Sequence, residues 1–294
     1  MRVPESAAVA GSFTVVWSQR LGSAPRGLVL AREAYRVLAW DDAGWVYLFT
    51  HAGARQGQTR IDGKLTGAGC AEDGSVYAVV TAEANLLWLA PDLTVRWQTP
   101  LPAPGVSVAL DALGNYVAAA DQRSGVHLFD ARGRSVTTFA SPRPLHHLAF
   151  VPAAAALVAS ADYGLVGSFD LRGEWRWRDG LVAHVGGLAV DGDGTQMVLA
   201  CFSEGLRRYA QDGTALPALA LPEPCRLVAQ AYDGGAILVA GMSSRLWLVD
   251  KLGAVIASHN AGQSIAAAAL GARAEFAVVA LADSVSCLAI IRSV

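Results

Sequence analysis

Apolar positions along this chain come in short runs that return every forty residues. The run Val126-His127-Leu128-Phe129-Asp130 is followed by Ala131-Arg132-Gly133-Arg134. Forty residues on, Val166-Gly167-Ser168-Phe169-Asp170 is followed by Leu171-Arg172-Gly173-Glu174. The same phase holds Tyr209-Ala210 with Gly213, Val249-Asp250 with Gly253, Leu89-Ala90, and Phe49-Thr50 with Gly53. Within the unit 27–61, Leu28-Val29-Leu30, Val37-Leu38-Ala39-Trp40 and Val46-Tyr47-Leu48-Phe49 read as three strands. The polar stretch Arg55 to Arg60 reads as a fourth, outer one. Short apolar runs bounded by turn residues at a fixed spacing predict β-propeller blades of four antiparallel strands.

Two further patterns repeat in register. The first hairpin of each unit carries Asp73-Gly74-Ser75, Gly114-Asn115, Asp193-Gly194-Thr195 or Asp233-Gly234-Gly235, residues that supply positive φ and local side-chain bonds. The unit at 153–155 has three alanines there instead. Second strands such as Ala236-Ile237-Leu238-Val239-Ala240 are apolar throughout, as strands covered on both faces must be. One inner-strand position is small in Gly69, Ala109, Ala149, Ala189, Ala229 and Ala269, with Val29 the exception. Side chains that converge on an axis have to be small.

The ends of the chain share a phase. Trp17, Trp97 and Trp177 stand eighty residues apart, so Thr14 to Leu21 reads as an outer strand with no blade of its own. At the other end, Ser286 to Ile290 reads as a third strand with no outer strand after it. The expected architecture is therefore all-β. It is a single seven-bladed propeller over 14–294 behind an N-terminal arm at 1–13, its ring closed by the N-terminal strand completing the C-terminal blade.

Composition narrows the function. Of 294 residues, 53% are hydrophobic and 16% charged, and the formal net charge is −2. The 23 Lys and Arg form no basic stripe, which removes the electrostatic term that drives nucleic-acid binding. Cys70, Cys201, Cys225 and Cys287 have no short paired spacing, so they read as reduced, mostly buried thiols of a cytoplasmic protein. No apolar run has the length of a signal-peptide core or a membrane span.

The run Phe169-Asp170-Leu171-Arg172-Gly173-Glu174-Trp175-Arg176-Trp177 resembles the blade motif of quinoprotein-like (PQQ-like) propellers. The forty-residue spacing, and Phe-Asp in the place of Trp-Asp, are similar to WD-repeat propellers. The WD-repeat Gly-His pair is absent from most blades. The vicinal Cys pair of quinoprotein dehydrogenases is absent too, so no quinone or other cofactor is expected. The resemblance implies a non-catalytic interaction platform that binds a partner protein.

Loop residues do not follow the repeat, and loops carry grafted function. Two loop sets share one propeller face: those leading from an outer strand to the next inner one, and those between second and third strands. Arg123, Arg143, Tyr163, Phe202 and Arg245 on these loops are the expected partner contacts, since exposed aromatics beside Arg make interface anchors. An alternative reading places His146, His184 and Glu223 around a metal ion, or uses them as acid and base, in an enzyme or small-ligand binder. Asp191-Gly192-Asp193-Gly194 lacks the further acids of a calcium loop and reads as a hairpin turn.

Overall fold

A computed structural model describes residues 11–180 and 183–292, and every regular element among them is a β-strand. The first blade orders Pro25–Ala31, Arg36–Asp41, Trp45–Thr50 and Arg55–Arg60 from inside to outside, each pair antiparallel. Four more blades of the same order span 65–100, 105–140, 147–179 and 185–219. Inner strands touch their neighbours in cyclic order, and Pro25–Ala31 meets Ala267–Leu270 to close the ring.

The remaining strands correct the expected count. The ring has five separate four-stranded blades, not seven, and the rest of the chain forms one eight-stranded sheet. In that sheet Cys225–Gln230, Ala236–Gly241, Arg245–Asp250 and Val255–Asn260 are followed by Gly11–Arg20, then Ser284–Arg292, Phe276–Ala280 and Ala267–Leu270. The strand Gly11–Arg20 pairs antiparallel with Ser284–Arg292, from Gly11 opposite Arg292 to Arg20 opposite Ser284. On its other side it pairs in parallel with Val255–Asn260, Gly11 opposite Ala257 and Ser12 opposite Ser258. The expected arm falls outside the described residues up to position 10, and Gly11 to Phe13 belong to this strand.

The splice has a steric cause. A Cβ on Gly11 would lie 2.7 Å from the Ile256 carbonyl oxygen and 2.8 Å from that of Ile291. Only glycine lets two backbones approach it from both sides. The facing residue is also small. Positions 17, 97 and 177 are Trp, and eighty residues further on stands Ala257, the partner of Gly11.

At the three Trp positions a different joint is made. Trp17 Nε1 donates to the carbonyl oxygen of His51 (2.7 Å), Trp97 Nε1 to Ala131 (3.1 Å) and Trp177 Nε1 to Gln211 (3.0 Å). Each ring lies on a glycine of positive φ in the next blade, Gly53, Gly133 or Gly213, where a Cβ would come within 2.6, 3.1 or 2.5 Å of the indole. Each indole also meets an aromatic that stands at the same offset after it, Phe49, Phe129 or Tyr209, at 6.0, 6.2 and 5.5 Å between ring centroids.

The Asp of each Phe-Asp pair shapes a turn with such a glycine, Gly133 under Trp97 and Gly173 under Phe139. Asp130 Oδ1 accepts the backbone N–H groups of Arg132 (2.9 Å) and Arg134 (3.0 Å), and Asp170 Oδ1 those of Arg172 (2.8 Å) and Glu174 (3.0 Å). Bonds from the backbone of Arg134 and of Glu174 hold the two carboxyls below the usual carboxylate range. The intervening Gly133 and Gly173 have φ of +75° and +91°. The core lies between blades, where the second strands Val117–Ala120 and Leu238–Ala240 are buried on both faces.

Candidate functional site

The loop face repeats in its backbone and varies in its side chains. Asp42, Ala82, Gln122, Phe202 and Met242 each donate their backbone N–H to the carbonyl oxygen eighteen residues earlier. The acceptors are Ala24, Lys64, Pro104, His184 and Pro224, at 2.9–3.0 Å. One backbone bond thus presents one side chain in the same way in five units. Across 25–140 those side chains are an acid, a methyl and an amide. Further round they are Phe202 and Met242, 45% and 52% exposed.

Tyr163 belongs with Phe202. It makes an isolated antiparallel bridge with His184, and the two rings are 5.0 Å apart. His184 in turn accepts the Phe202 N–H through its carbonyl oxygen. Tyr163 is 39% exposed. Arg143 lies beside Gly164, where a Cβ would be 3.5 Å from its Nε. Arg123, Arg143 and Arg245 are exposed, and none takes part in an ion pair among the described residues. Three other cations on the face are matched: Arg26 with Asp42, Arg20 with Asp283 (3.5 Å) and Arg207 with Glu204 (2.6 Å).

The residues of the metal reading have other partners. Glu223 Oε1 accepts the Ser243 N–H (3.1 Å) and Oγ–H (2.5 Å). His146 Nδ1 faces Asp162 Oδ1 at 3.3 Å, and His184 is exposed beside Tyr163. The described residues hold no group of three or more His, Cys, Asp or Glu side chains placed to bind a metal ion. The neighbouring His147 is half-buried, with Nε2 donating to the Val185 carbonyl oxygen (3.2 Å), and desolvation lowers its pKa. Cys201, Cys225 and Cys287 are buried and free, and burial pushes their pKa values up to about 11, 12 and 11. Such thiols are poor nucleophiles and poor metal ligands at neutral pH.

A second feature lies on the axis. A cavity of about 310 Å³ runs between the inner strands and is lined by Val29, Gly69, Ala109, Ala149, Ala189, Ala229 and Ala269, the small positions of the repeat. Gln230 also lines it. In the same phase the chain has Leu30, Cys70, Leu110, Phe150, Val190 and Leu270. Gln230 is 3% exposed, and its Nε2 and Oε1 are buried without a hydrogen-bond partner among the described residues. Leaving such an amide unpaired costs about 1–3 kcal/mol. Two residues on, the Tyr232 ring lies 5.1 Å from the guanidinium carbon of Arg32. Arg32 also bonds Glu72, its Nε 3.1 Å from both carboxylate oxygens. The sequence reading passed over Gln230, Arg32 and Glu72, although the one amide among apolar residues of equal phase was visible.

No family model matches the chain, and no curated protein matches it. Among solved structures, the β-propeller domain of Myceliophteria thermophila Cps50 (Swd1) superposes with a TM-score of 0.80 at 11% identity, over 94% of this chain and 99% of that one. The fold is accordingly that of a β-propeller. No helix among the described residues is long and apolar enough to cross a membrane.

Proposed function

We propose that the chain is a non-catalytic platform that binds a partner protein through one sector of its loop face. The observation that carries this reading is that Tyr163, Phe202 and Met242, on the same loop of three successive units, are all exposed, and that Arg123, Arg143 and Arg245 on the same face make no ion pair among the described residues. Aromatic side chains lose little entropy when covered, the flexible Met side chain moulds itself to an apolar surface, and unpaired guanidinium groups bond carboxylates in two-pronged fashion. The partner segment offers an apolar anchor for Phe202 and Met242 and carboxylates for Arg123, Arg143 and Arg245. The four free thiols support a reducing, cytoplasmic setting.

The test is native mass spectrometry of the protein isolated gently from its own cells. The platform reading expects a stable added mass of protein size. Tyr163→Ala combined with Phe202→Ala should remove that mass and leave the circular dichroism of the ring unchanged. A wild-type ring that carries no protein, or a double variant that retains it, overturns the proposal.

A further inference from the structure

We propose that the partner on the loop face is a second copy of this chain, seated head to tail, with the first-hairpin tips of one ring on the loop sector of the next. This inference rests on the platform reading and names its partner. Antiparallel strands put the first hairpins on the face opposite the loops. Each unit presents one exposed tip residue there, and in four successive units these are Asp73, Leu113, Ala153 and Asp193. Glu33 and Asp233 flank them, and Arg273 is the one cation of the series, so the ring of tips is net negative. Leu113, 71% exposed, is the large apolar side chain that interrupts it.

The match lies in the order of residues round the ring. From the third unit to the sixth, the loop face presents Arg123, Tyr163, Phe202 and Arg245, all exposed: a cation, two aromatics and a cation. From the second unit to the fifth, the tips present an acid, two apolar side chains and an acid. In a head-to-tail stack both rings run in the same sense about the axis. A turn of one unit between them therefore sets Asp73 against Arg123, Leu113 against Tyr163, Ala153 against Phe202 and Asp193 against Arg245. Ion pairs at both ends of an apolar strip are the arrangement of a specific protein interface.

The competing arrangements lose these contacts. A slip of one unit either way sets Asp193 against Phe202 or Asp73 against Tyr163. Like faces brought together oppose arginine to arginine or acid to acid. Asp162, the exposed acid within the strip, faces His146 at 3.3 Å. Beyond the strip, Arg26 and Arg20 are held by Asp42 and Asp283 and do not compete for the acids. Each copy in such a pair keeps one open face of each kind, so association continues past two copies.

Sedimentation velocity of the full chain at rising protein concentration is the test. The proposal expects species at whole multiples of the chain mass, with an association that weakens as salt is raised. Asp193→Lys and Arg245→Glu should each weaken it about tenfold. An equimolar mixture of the two variants should restore it, because every contact between unlike copies again joins opposite charges. Asp233→Lys, one unit out of register, should not be restored by Arg245→Glu. Neither the Asp193 nor the Arg245 side chain takes part in an ion pair among the described residues, so both variants should fold. If either does not, Asp73→Lys with Arg123→Glu makes the same exchange at the other end of the strip. A wild-type chain that stays monomeric, or a mixture that does not restore association, overturns the inference. A monomeric chain that carries a different protein in native mass spectrometry also overturns it and leaves the platform reading standing. A chain that carries neither overturns both.

Discussion

Two joints one blade apart answer the same need with different chemistry. Trp177 closes the seam onto Gly213 with a 3.0 Å bond to Gln211 and a ring stacked 5.5 Å from Tyr209. Leu219 closes the next seam onto Gly253, where a Cβ would lie 3.1 Å from its Cδ2, and buries its side chain to 6% exposure with no polar bond. The aliphatic joint rests on area alone. The indole joint adds direction, because its N–H reaches one carbonyl only when the ring lies flat on the glycine. Trp joints recur every eighty residues, so the ring is clamped at alternate seams. Where the next Trp falls due, Ala257 lets Gly11–Arg20 join the sheets through backbone pairing instead.

The comparison breaks most directly at the two anchors. Trp177→Ala should cost about 3 kcal/mol in urea unfolding, the lower part of the range for aromatic truncation, since the indole is only partly buried. Leu219→Ala should cost about 2 kcal/mol. Trp177→Phe keeps most of the area and loses the N–H bond, and should cost about 1 kcal/mol. Equal losses for Trp177→Ala and Leu219→Ala would show that the directional bond adds nothing.

The backbone joint is tested from its crowded side. Gly11→Val places a side chain against two carbonyl oxygens less than 3 Å away. It should cost about 2 kcal/mol and speed amide exchange in Val255–Asn260 and Ser284–Arg292 together. Faster exchange confined to one of those strands would mean that the eight strands do not act as one sheet.

The strands were legible because a blade repeats its contacts. Small residues at the axis, apolar second strands and the docking Trp positions follow from the forty-residue phase and appear in the structure in those roles. The splice at Gly11 was not legible, since a two-residue parallel pairing leaves no trace in a period-two pattern. The choice of small residues at Gly11 and Ala257 reads as composition until the two are seen face to face. The expectation of seven separate blades failed at that point. On the loop face, Tyr163 and Phe202 stood out by type, but their link through His184 is a backbone matter. Glu223 drew attention as an acid near histidines, whereas the fold commits it to Ser243.

A smaller effect is expected with pH. Burial lowers the His147 pKa below its ordinary value. In the unfolded chain the ring takes up a proton near pH 6.5, while the folded protein resists it. The unfolded state then binds more protons, so stability falls as pH drops through that range, with a slope of at most one proton. His259, lowered by burial as well, adds in the same direction. His147→Gln should flatten the profile of unfolding free energy between neutral pH and pH 5. Asp130 and Asp170 contribute only further down, below the ordinary carboxylate range, where their loss of charge releases the turn bonds.

The smallest effect on stability falls where the largest effect on binding is expected. Tyr163 and Phe202 project from loops whose positions are set by backbone bonds, and the Phe202 N–H bond to His184 survives removal of the ring. Tyr163→Ala and Phe202→Ala should each change the unfolding free energy by no more than about 0.5 kcal/mol, as for surface substitutions. The Trp177→Ala variant, on the opposite end of the scale, weakens a seam without touching the loop face. If partner capture is lost with Tyr163→Ala and Phe202→Ala but kept by Trp177→Ala at a temperature where the ring is folded, binding resides in the loop sector. If the order is reversed, partner capture follows the integrity of the seams, and the contact surface lies along the blade edges near residues such as Arg55 and Arg134.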